Sequence, residues 1–448
     1  LEGNVNLQAG KNYSQIGSQV IAPQGNIDIA AQKVDITEAR DTNQNATETK
    51  FKQSGLTLAL TSPVITAIQT AQQMKQASSQ TSDSRMQVLA GAAAALAAKN
   101  TYDAMPENSS PASGISLSIS IGGSKSQSNT TQTSDNAAGS SVAAGGDIAI
   151  RATGAGANSD LSVQGSSIKA GHNVSLQADD QINLLAARST ADQHSTNKSV
   201  SGSIGFSIGT NTGITVSASG ARGNADGSDV TQANTHVEAG QQLSINSGGD
   251  TTLRGAVAKA TQVNADVGGN LHIESLQDTS KFDSKQKSIG GSVTIGPSPG
   301  GSLSASKSKI NSDYASVTEQ SGIQAGAGGF QVHVAGNTDL KGGAITSTQA
   351  AIDSNANSFA TGGVLTTNDI QNQASYSAKS VGINVGSSLS QSGKLAPSGT
   401  GAGFGSDSGN ASSTTTAAIS GIAGNKDART GDVEAGIHKI FDADKVQK

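Results

Sequence analysis

The stretch AGHNVSLQADDQINLLAA, residues 170–187, decides how this chain is read. Val174 and Leu176 alternate with polar residues, a polar corner DDQ follows, and Ile182 and Leu184 alternate again. Successive side chains of a strand point to opposite faces, so each half puts two aliphatic groups on one side. The phrase is Gly, one or two polar residues, apolar–x–apolar, then a small residue. It returns in QGNIDIAAQKVDIT (24–37), GGDIAIRA (145–152), AGQQLSINSGGDTTLRG (239–255), VGGNLHIES (267–275) and AGGFQVHVAGNTDLKGG (327–343). Such repetition marks a stacked architecture, in which each unit buries its apolar side against its neighbours. Asn26, Asn173, Asn270 and Asn337 precede strands, and Gly25, Gly269 and Gly336 stand before three of them. Gly and Asn accept the left-handed backbone of tight corners, and corners are what this reading assigns to them.

Composition points the same way. Of 448 residues 55 are Gly, 34% are hydrophobic and only 2% aromatic, too little bulk for a compact globule of this length. The charged fraction of 14% is also too low for charge-driven disorder. A right-handed parallel β-helix fits best. Its coils stack about 4.8 Å apart, and about 10 to 12 of them would make a rod on the order of 50 to 60 Å long. The net charge of −5 gives no basic footprint for nucleic acid. The absence of Cys excludes disulfides and thiolate sites and fits a secreted protein that crosses membranes unfolded. The chain opens inside a strand pattern, LEGNVNLQAG, without a signal peptide, and is read as a fragment of something longer. The run VLAGAAAALAA (88–98) is too short for a membrane-spanning helix.

A longer period overlies the short one. Solenoid blocks 1–41, 143–190, 236–278 and 323–374 alternate with excursions 42–142, 191–235, 279–322 and 375–416. Each excursion carries a Gly/Ser hairpin with one thin apolar face: SGISLSISIGG (113–123), GSIGFSIGTNTGITVSASG (202–220), KSIGGSVTIG with GSLSAS (287–306), and SVGINVGSSLS (380–390). In the first excursion Ser62-Pro63 can start a helix and Asp83 can cap a second, so 63–101 reads as an α-helical hairpin. The charged stretch 417–448 reads as the start of a helical module.

The GGNLHIES and AGHNVSLQADDQINLLAA blocks, the recurring hairpins and the tail ISGIAGNKDARTGDVEAGIHKIFDADKVQ resemble filamentous-haemagglutinin repeats. These occur in exoproteins of Gram-negative two-partner secretion. The arrangement looks most like the second haemagglutinin-repeat region of contact-dependent growth inhibition effectors, and the tail like the segment leading toward their pretoxin and toxin domains. The resemblance implies a filamentous surface protein, secreted through an outer-membrane partner transporter, with this region acting at the target-cell outer membrane or a surface receptor. The family's secretion domain, receptor-binding region and toxin are missing from this sequence, so no toxin activity is read from it.

Catalytic, metal and cofactor sites are not found in the sequence. His172, His194, His236, His272, His333 and His438 show no metal-ligand spacing, and His272 and His333 fill a repeat slot also taken by Asp28 and Ala149, the outward one. Asp179-Asp180 sits between two strands, as a corner does. Calcium nonapeptides and phosphate loops are absent.

The candidate working surface is the apolar face of the hairpins: Ile115, Leu117, Ile119 and Ile121; Ile204, Phe206, Ile208, Ile214 and Val216; Ile289, Val293 and Ile295; Val381, Ile383 and Val385. Two readings stand open. The faces pack on the solenoid or on one another as an auxiliary sheet, since a lone hairpin is marginal in water. Alternatively they engage a membrane, where a spanning strand needs about 9 to 11 alternating residues. The functional expectation is a non-enzymatic stalk and translocation segment that helps deliver a toxin. A passive adhesin rod is the alternative, and a β-helix polysaccharide lyase a third.

Overall fold

The computed structural model describes residues 3–61, 116–208, 213–297, 299–389, 395–397, 401–432 and 436–441. Two parallel sheets and one antiparallel sheet account for nearly all of it. The parallel strands wind as a triangular solenoid, a β-helix with three faces. One face runs through Val5–Gln8, Ile27–Ala31, Ile148–Ala152, Val174–Ala178 and Gln242–Ser247. A second runs through Asn12–Ile16, Lys33–Thr37, Leu161–Gln164, Ile182–Leu185 and Thr251–Arg254, and is eight strands deep in all. The third runs through Gln19–Ala22, Ser141–Ala144, Ser167–Ala170 and Thr235–Ala239.

The coils are held by aliphatic columns. Ile27, Ile148, Val174, Leu243, Val263 and Phe330 lie one above another in register, all buried. One column further in are Ile29, Ile150, Leu176 and Ile245. Each rung contributes only a few such side chains, so 34% hydrophobic residues suffice to fill a core that grows in one dimension.

Corners carry a second set of ladders. Asn26 Oδ1 accepts the Asp147 N–H at 2.8 Å, Asp147 Oδ1 the Asn173 N–H at 3.0 Å, and Asn4 Oδ1 the Asn26 N–H at 2.9 Å. A second run joins Asp250, Asn270, Asn337 and the Val364 N–H at another corner. Asn4, Asn26, Asn270 and Asn337 therefore serve as acceptors for the next coil and Asn173 as a donor to Asp147, and none is a left-handed corner residue. Among described residues only Asn355 is a non-glycine with positive φ. Gly25, Gly269 and Gly336 are likewise not at positive φ; a Cβ on any of them would collide with the coil beneath.

The antiparallel sheet is built from four ribbons. They pair Ala39–Thr61 with Ser116–Ala138, Ala187–Ile208 with Gly213–Ala233, Gln277–Ile295 with Gly300–Val317, and Ile370–Leu389 with Gly401–Thr415. Each ribbon also pairs with the next, so eight long strands form one continuous sheet, extended by the short strand Leu395–Pro397. All four leave the solenoid from the corner between the second and third faces, after Lys33–Thr37, Ile182–Leu185, Leu271–Glu274 and Leu365–Asn368. One plain coil separates each departure from the next. Two coil rises are about 9.6 Å, the width of two strands, so each ribbon arrives at its neighbour's pairing distance.

In the plain coils the same corner is made by Gly17, Gly165, Gly255 and Gly342, with φ of 50°, 54°, 64° and 55°. A Cβ there would overlap Ala39, Ala187, Ala186 and Ile370 respectively, residues at the foot of the ribbons. Only glycine meets both the turn and the close approach.

Among the described residues the solenoid has eight coils, fewer than the 10 to 12 expected, because the ribbons absorb more chain than their apolar parts suggested. Their strands run 15 to 23 residues, taking in the flanking Ser/Thr/Asn-rich segments as paired backbone. The expected helical hairpin 63–101 lies outside the described residues. Residues 417–432 and 436–441 of the charged tail hold the short strands Ala418–Ile419 and Ala423–Gly424 and turns. A five-residue helix, Gln349–Asp353, spans one corner.

Candidate functional site

Register fixes what each face of the ribbon sheet carries. On one face, Leu58, Ile119, Phe206, Ile214 and Ile295 form a row across five strands. Leu56, Ile121, Ile204, Val216 and Val293 form the next row toward the solenoid. Val200 and Ile289 follow, and Leu303 lies beside Val385, and Val381 beside Phe404. These side chains are open to solvent: Ile295 is 70% exposed, Leu56 73% and Phe404 64%. Gly291 and Gly301 leave a trough among Val216, Ala218, Val293, Leu303 and Val385.

The structure thus gathers the expected residues Ile119, Ile121, Ile204, Phe206, Ile214, Val216, Ile289, Val293, Ile295, Val381, Ile383 and Val385 onto one sheet face. Ile208 and Leu117 pair with each other at the end of that array. Ile115 lies outside the described residues. Leu56, Leu58, Val200, Leu303 and Phe404 belong to the same face and were not anticipated; the alternation in SGLTLAL, 54–60, was the available signal for the first two.

The reverse face is made of Ser, Thr and Gly. Hydroxyls meet directly across strands: Ser201 and Ser219 at 2.6 Å, Ser203 and Ser217 at 2.7 Å, Thr215 and Thr294 at 2.8 Å, Ser292 and Ser302 at 2.8 Å. Toward the solenoid this face gains aromatics. Phe441 stacks against Phe282 and Tyr376 with ring centroids 5.5 and 5.8 Å away. The Tyr314 hydroxyl donates to the Ile437 carbonyl at 3.0 Å, and Lys439 Nζ lies 3.1 Å from Asp229. Segment 436–441 therefore lies along the base of the hydroxyl face.

Charge is graded along the strands. No charged residue occurs in 53–61, 116–124, 199–208, 213–221, 288–295, 300–306 or 380–389, the outer parts of seven strands. Immediately inward, on the apolar side, comes a row of Lys50, Lys198, Arg222, Lys287 and Lys307. Closer to the solenoid lie Asp226, Asp283 and Asp313. The hydrogen bond from His194 holds the Asp226 carboxyl below its ordinary range.

At the ribbon feet, His236 Nε2 lies 3.0 Å from both oxygens of Glu319, tying the return of the second ribbon to that of the third. The carboxylate bond raises the imidazole and the imidazole lowers the carboxyl. Burial pushes the Asp278 carboxyl up, although it accepts the Gln232 N–H at 2.7 Å. Among the described residues no group of three or more His, Asp or Glu is placed to hold a metal ion. His272 and His333 sit on the outer side of the coils beside Asp339 and Asp266, and Asp179 accepts the Gly154 N–H at a corner. No helix among the described residues is long and apolar enough to cross a membrane.

The hemagglutinin repeat family matches residues 119–289, from the second strand of the first ribbon into the third ribbon. A Toxin CdiA of Escherichia coli is 38% identical over 100% of this chain, which spans 15% of that protein. A Deoxyribonuclease CdiA of Yersinia pseudotuberculosis is 35% identical over 100% of the chain, which spans 44% of it. A tRNA nuclease CdiA of Yersinia mollaretii is 39% identical over 85% of the chain. The chain thus spans less than half the length of these relatives. No solved structure matches it. Residues 119–289 thus carry the hemagglutinin repeat, and the β-helix with its Gly/Ser ribbons is similar over its full length to a segment of CdiA proteins.

Proposed function

We propose that this segment is a non-enzymatic stalk and delivery element of a secreted contact-dependent growth inhibition effector. The β-helix supplies a rigid rod. The ribbon sheet on its flank engages the target-cell outer membrane and helps a C-terminal toxin across. The parent protein is secreted through an outer-membrane partner transporter and acts at the cell surface.

The observation that carries this reading is the outer third to half of the ribbon sheet. Its strands are charge-free over seven to ten residues, apolar on one face and hydroxyl-lined on the other, as strands in a bilayer are. Lipid tolerates sheets only as closed barrels. Eight strands alternating in direction leave the two outermost antiparallel, which is the parity closure requires. The relatives' names add support: a toxin, a deoxyribonuclease and a tRNA nuclease share this segment, so it serves cargoes of different activity.

The adhesin reading would favour apolar patches along the rod. Among the described residues, large exposed apolar side chains on the solenoid are Ile16, Ile21, Val364 and Ile422, all in its first and last coils, while the ribbons carry most of the others.

The test is a full-length effector with Ile204→Asn, Val216→Asn, Val293→Asn and Ile383→Asn. Export and surface display are expected to persist while inhibition of target cells is lost. Undiminished inhibition, with display equal to wild type, would reject the proposal.

A further inference from the structure

We propose that the Lys/Arg belt bordering the apolar tips is a binding surface for the phosphate groups of anionic bilayer lipids, and that it sets how deep the ribbon sheet enters. The proposal rests on the membrane reading above and names what that surface recognises.

The belt exists only in the folded sheet. Lys198 lies opposite Arg222, Arg222 opposite Lys287, and Lys287 opposite Lys307. One row inward Lys285, Lys309 and Lys379 are neighbours, and one row outward Lys52 faces Lys125. All of these side chains are exposed and share the apolar face.

Like charges set directly opposite destabilise a sheet. Among the described residues few of them meet a carboxylate. Lys50 meets Glu48 at 2.8 Å and Lys285 meets Asp283 at 3.0 Å. Among the described residues Lys198, Arg222, Lys287, Lys307, Lys309 and Lys379 have no ion-pair partner. A chain whose net charge is −5 nonetheless concentrates cations in one band. Such a band is accounted for by an anionic ligand that lies across all the strands.

Position selects the ligand. The cations run in a line perpendicular to the strands, at the inner border of the charge-free zone. Seven to ten residues from tip to belt span roughly 25 to 35 Å, comparable with the hydrocarbon thickness of a bilayer. Lysines and arginines at the edge of a spanning segment reach the headgroup layer, where each adds attraction to an anionic surface. A nucleic acid laid on the belt would leave the adjoining Val200, Ile289 and Ile383 in water. A second copy packed face to face with parallel strands would set cation on cation.

The test uses the full chain, floated with vesicles of phosphatidylcholine alone or of phosphatidylcholine and phosphatidylglycerol at 3:1. Binding to the anionic vesicles is expected to be stronger by about tenfold or more and to fall in high salt. The variant Lys198→Gln, Arg222→Gln, Lys287→Gln, Lys307→Gln is expected to lose that preference while its melting temperature holds or rises. A control, Lys11→Gln, Lys169→Gln, Lys259→Gln, Lys426→Gln, removes four cations elsewhere and should keep it. Equal binding to both vesicles, unchanged in the belt variant, would overturn the belt and leave the membrane reading standing. Binding to neither would overturn both. Tighter binding to a DNA duplex than to anionic vesicles, or a dimer that buries the belt, would also overturn it.

Discussion

Gly165 and Ala187 touch where the second ribbon leaves the rod. Gly165 turns the corner of a plain coil at φ 54°, and Ala187 begins the ribbon one coil on, so a Cβ on Gly165 would overlap the Ala187 methyl. The same relation joins Gly17 to Ala39, the first residue of the first ribbon. Alternation of a glycine corner with a ribbon departure gives the ribbons their spacing and makes one sheet of them.

Gly165→Ala is therefore expected to cost about 2 to 4 kcal/mol, combining a strained positive φ with overpacking. Gly154→Ala, at φ 96° with nothing within 4 Å of the added Cβ, suffers only the backbone part and should cost about 1 kcal/mol. Denaturant unfolding of both variants checks the order; equal losses would mean the ribbon foot does not press on the corner.

Pairing between ribbons can be trapped covalently in a chain with no native Cys. Val216 of the second ribbon lies opposite Val293 of the third. Val216→Cys with Val293→Cys should oxidise to a disulfide visible by mass spectrometry of the peptides. Val216→Cys with Ile289→Cys, offset four residues along the strand, should not, because the Cα atoms are too far apart.

The Asn corner ladder predicts a local effect. Asn337 Oδ1 accepts the Val364 N–H at 2.8 Å at an exposed corner. Asn337→Ala should speed amide exchange at Val364 by about fivefold to tenfold, the worth of one hydrogen bond near 1 kcal/mol, and leave Leu176 in the core unchanged. Unaltered exchange at Val364 would show that the ladder adds no protection.

The His236–Glu319 pair predicts a pH window. The raised imidazole contributes stability that is complete below its ordinary 6.5 and is lost as pH rises through the higher folded value. The lowered carboxyl contributes stability present above its ordinary 4.5 and lost as pH falls through the lower folded value. The pair is thus strongest between about pH 4.5 and 6.5. For a half-exposed pair the difference between wild type and His236→Gln is on the order of 0.5 kcal/mol there, shrinking toward pH 8.5. Melting curves from pH 5 to 8.5 test this, and a gap independent of pH would contradict it.

Val174, Leu176, Ile182 and Leu184 announced coils because a period of two with an aliphatic pair per strand has few other uses, and all four are buried. Ile204, Phe206, Ile214 and Val216 announced a two-faced hairpin for the same reason. Segments such as TADQHSTNKS, 190–199, gave no such signal, since Ser, Thr and Asn pair by backbone alone and leave no apolar stripe to read. Asn26 and Asn270 were recognisable as corner residues, but not as acceptors for the next coil, because that partner is 121 residues away for Asn26.

Composition and the period-two aliphatic pairs determined, without coordinates, that this chain stacks short parallel strands and sends out Gly/Ser ribbons, because those properties are local. Which ribbons are neighbours, that their apolar sides coincide, and that scattered lysines align as one belt were decided only by tertiary structure. Lys198, Lys287 and Lys307 are distant in sequence and come together through the coil rise, which fixes where each ribbon starts and hence the register of every strand beside it.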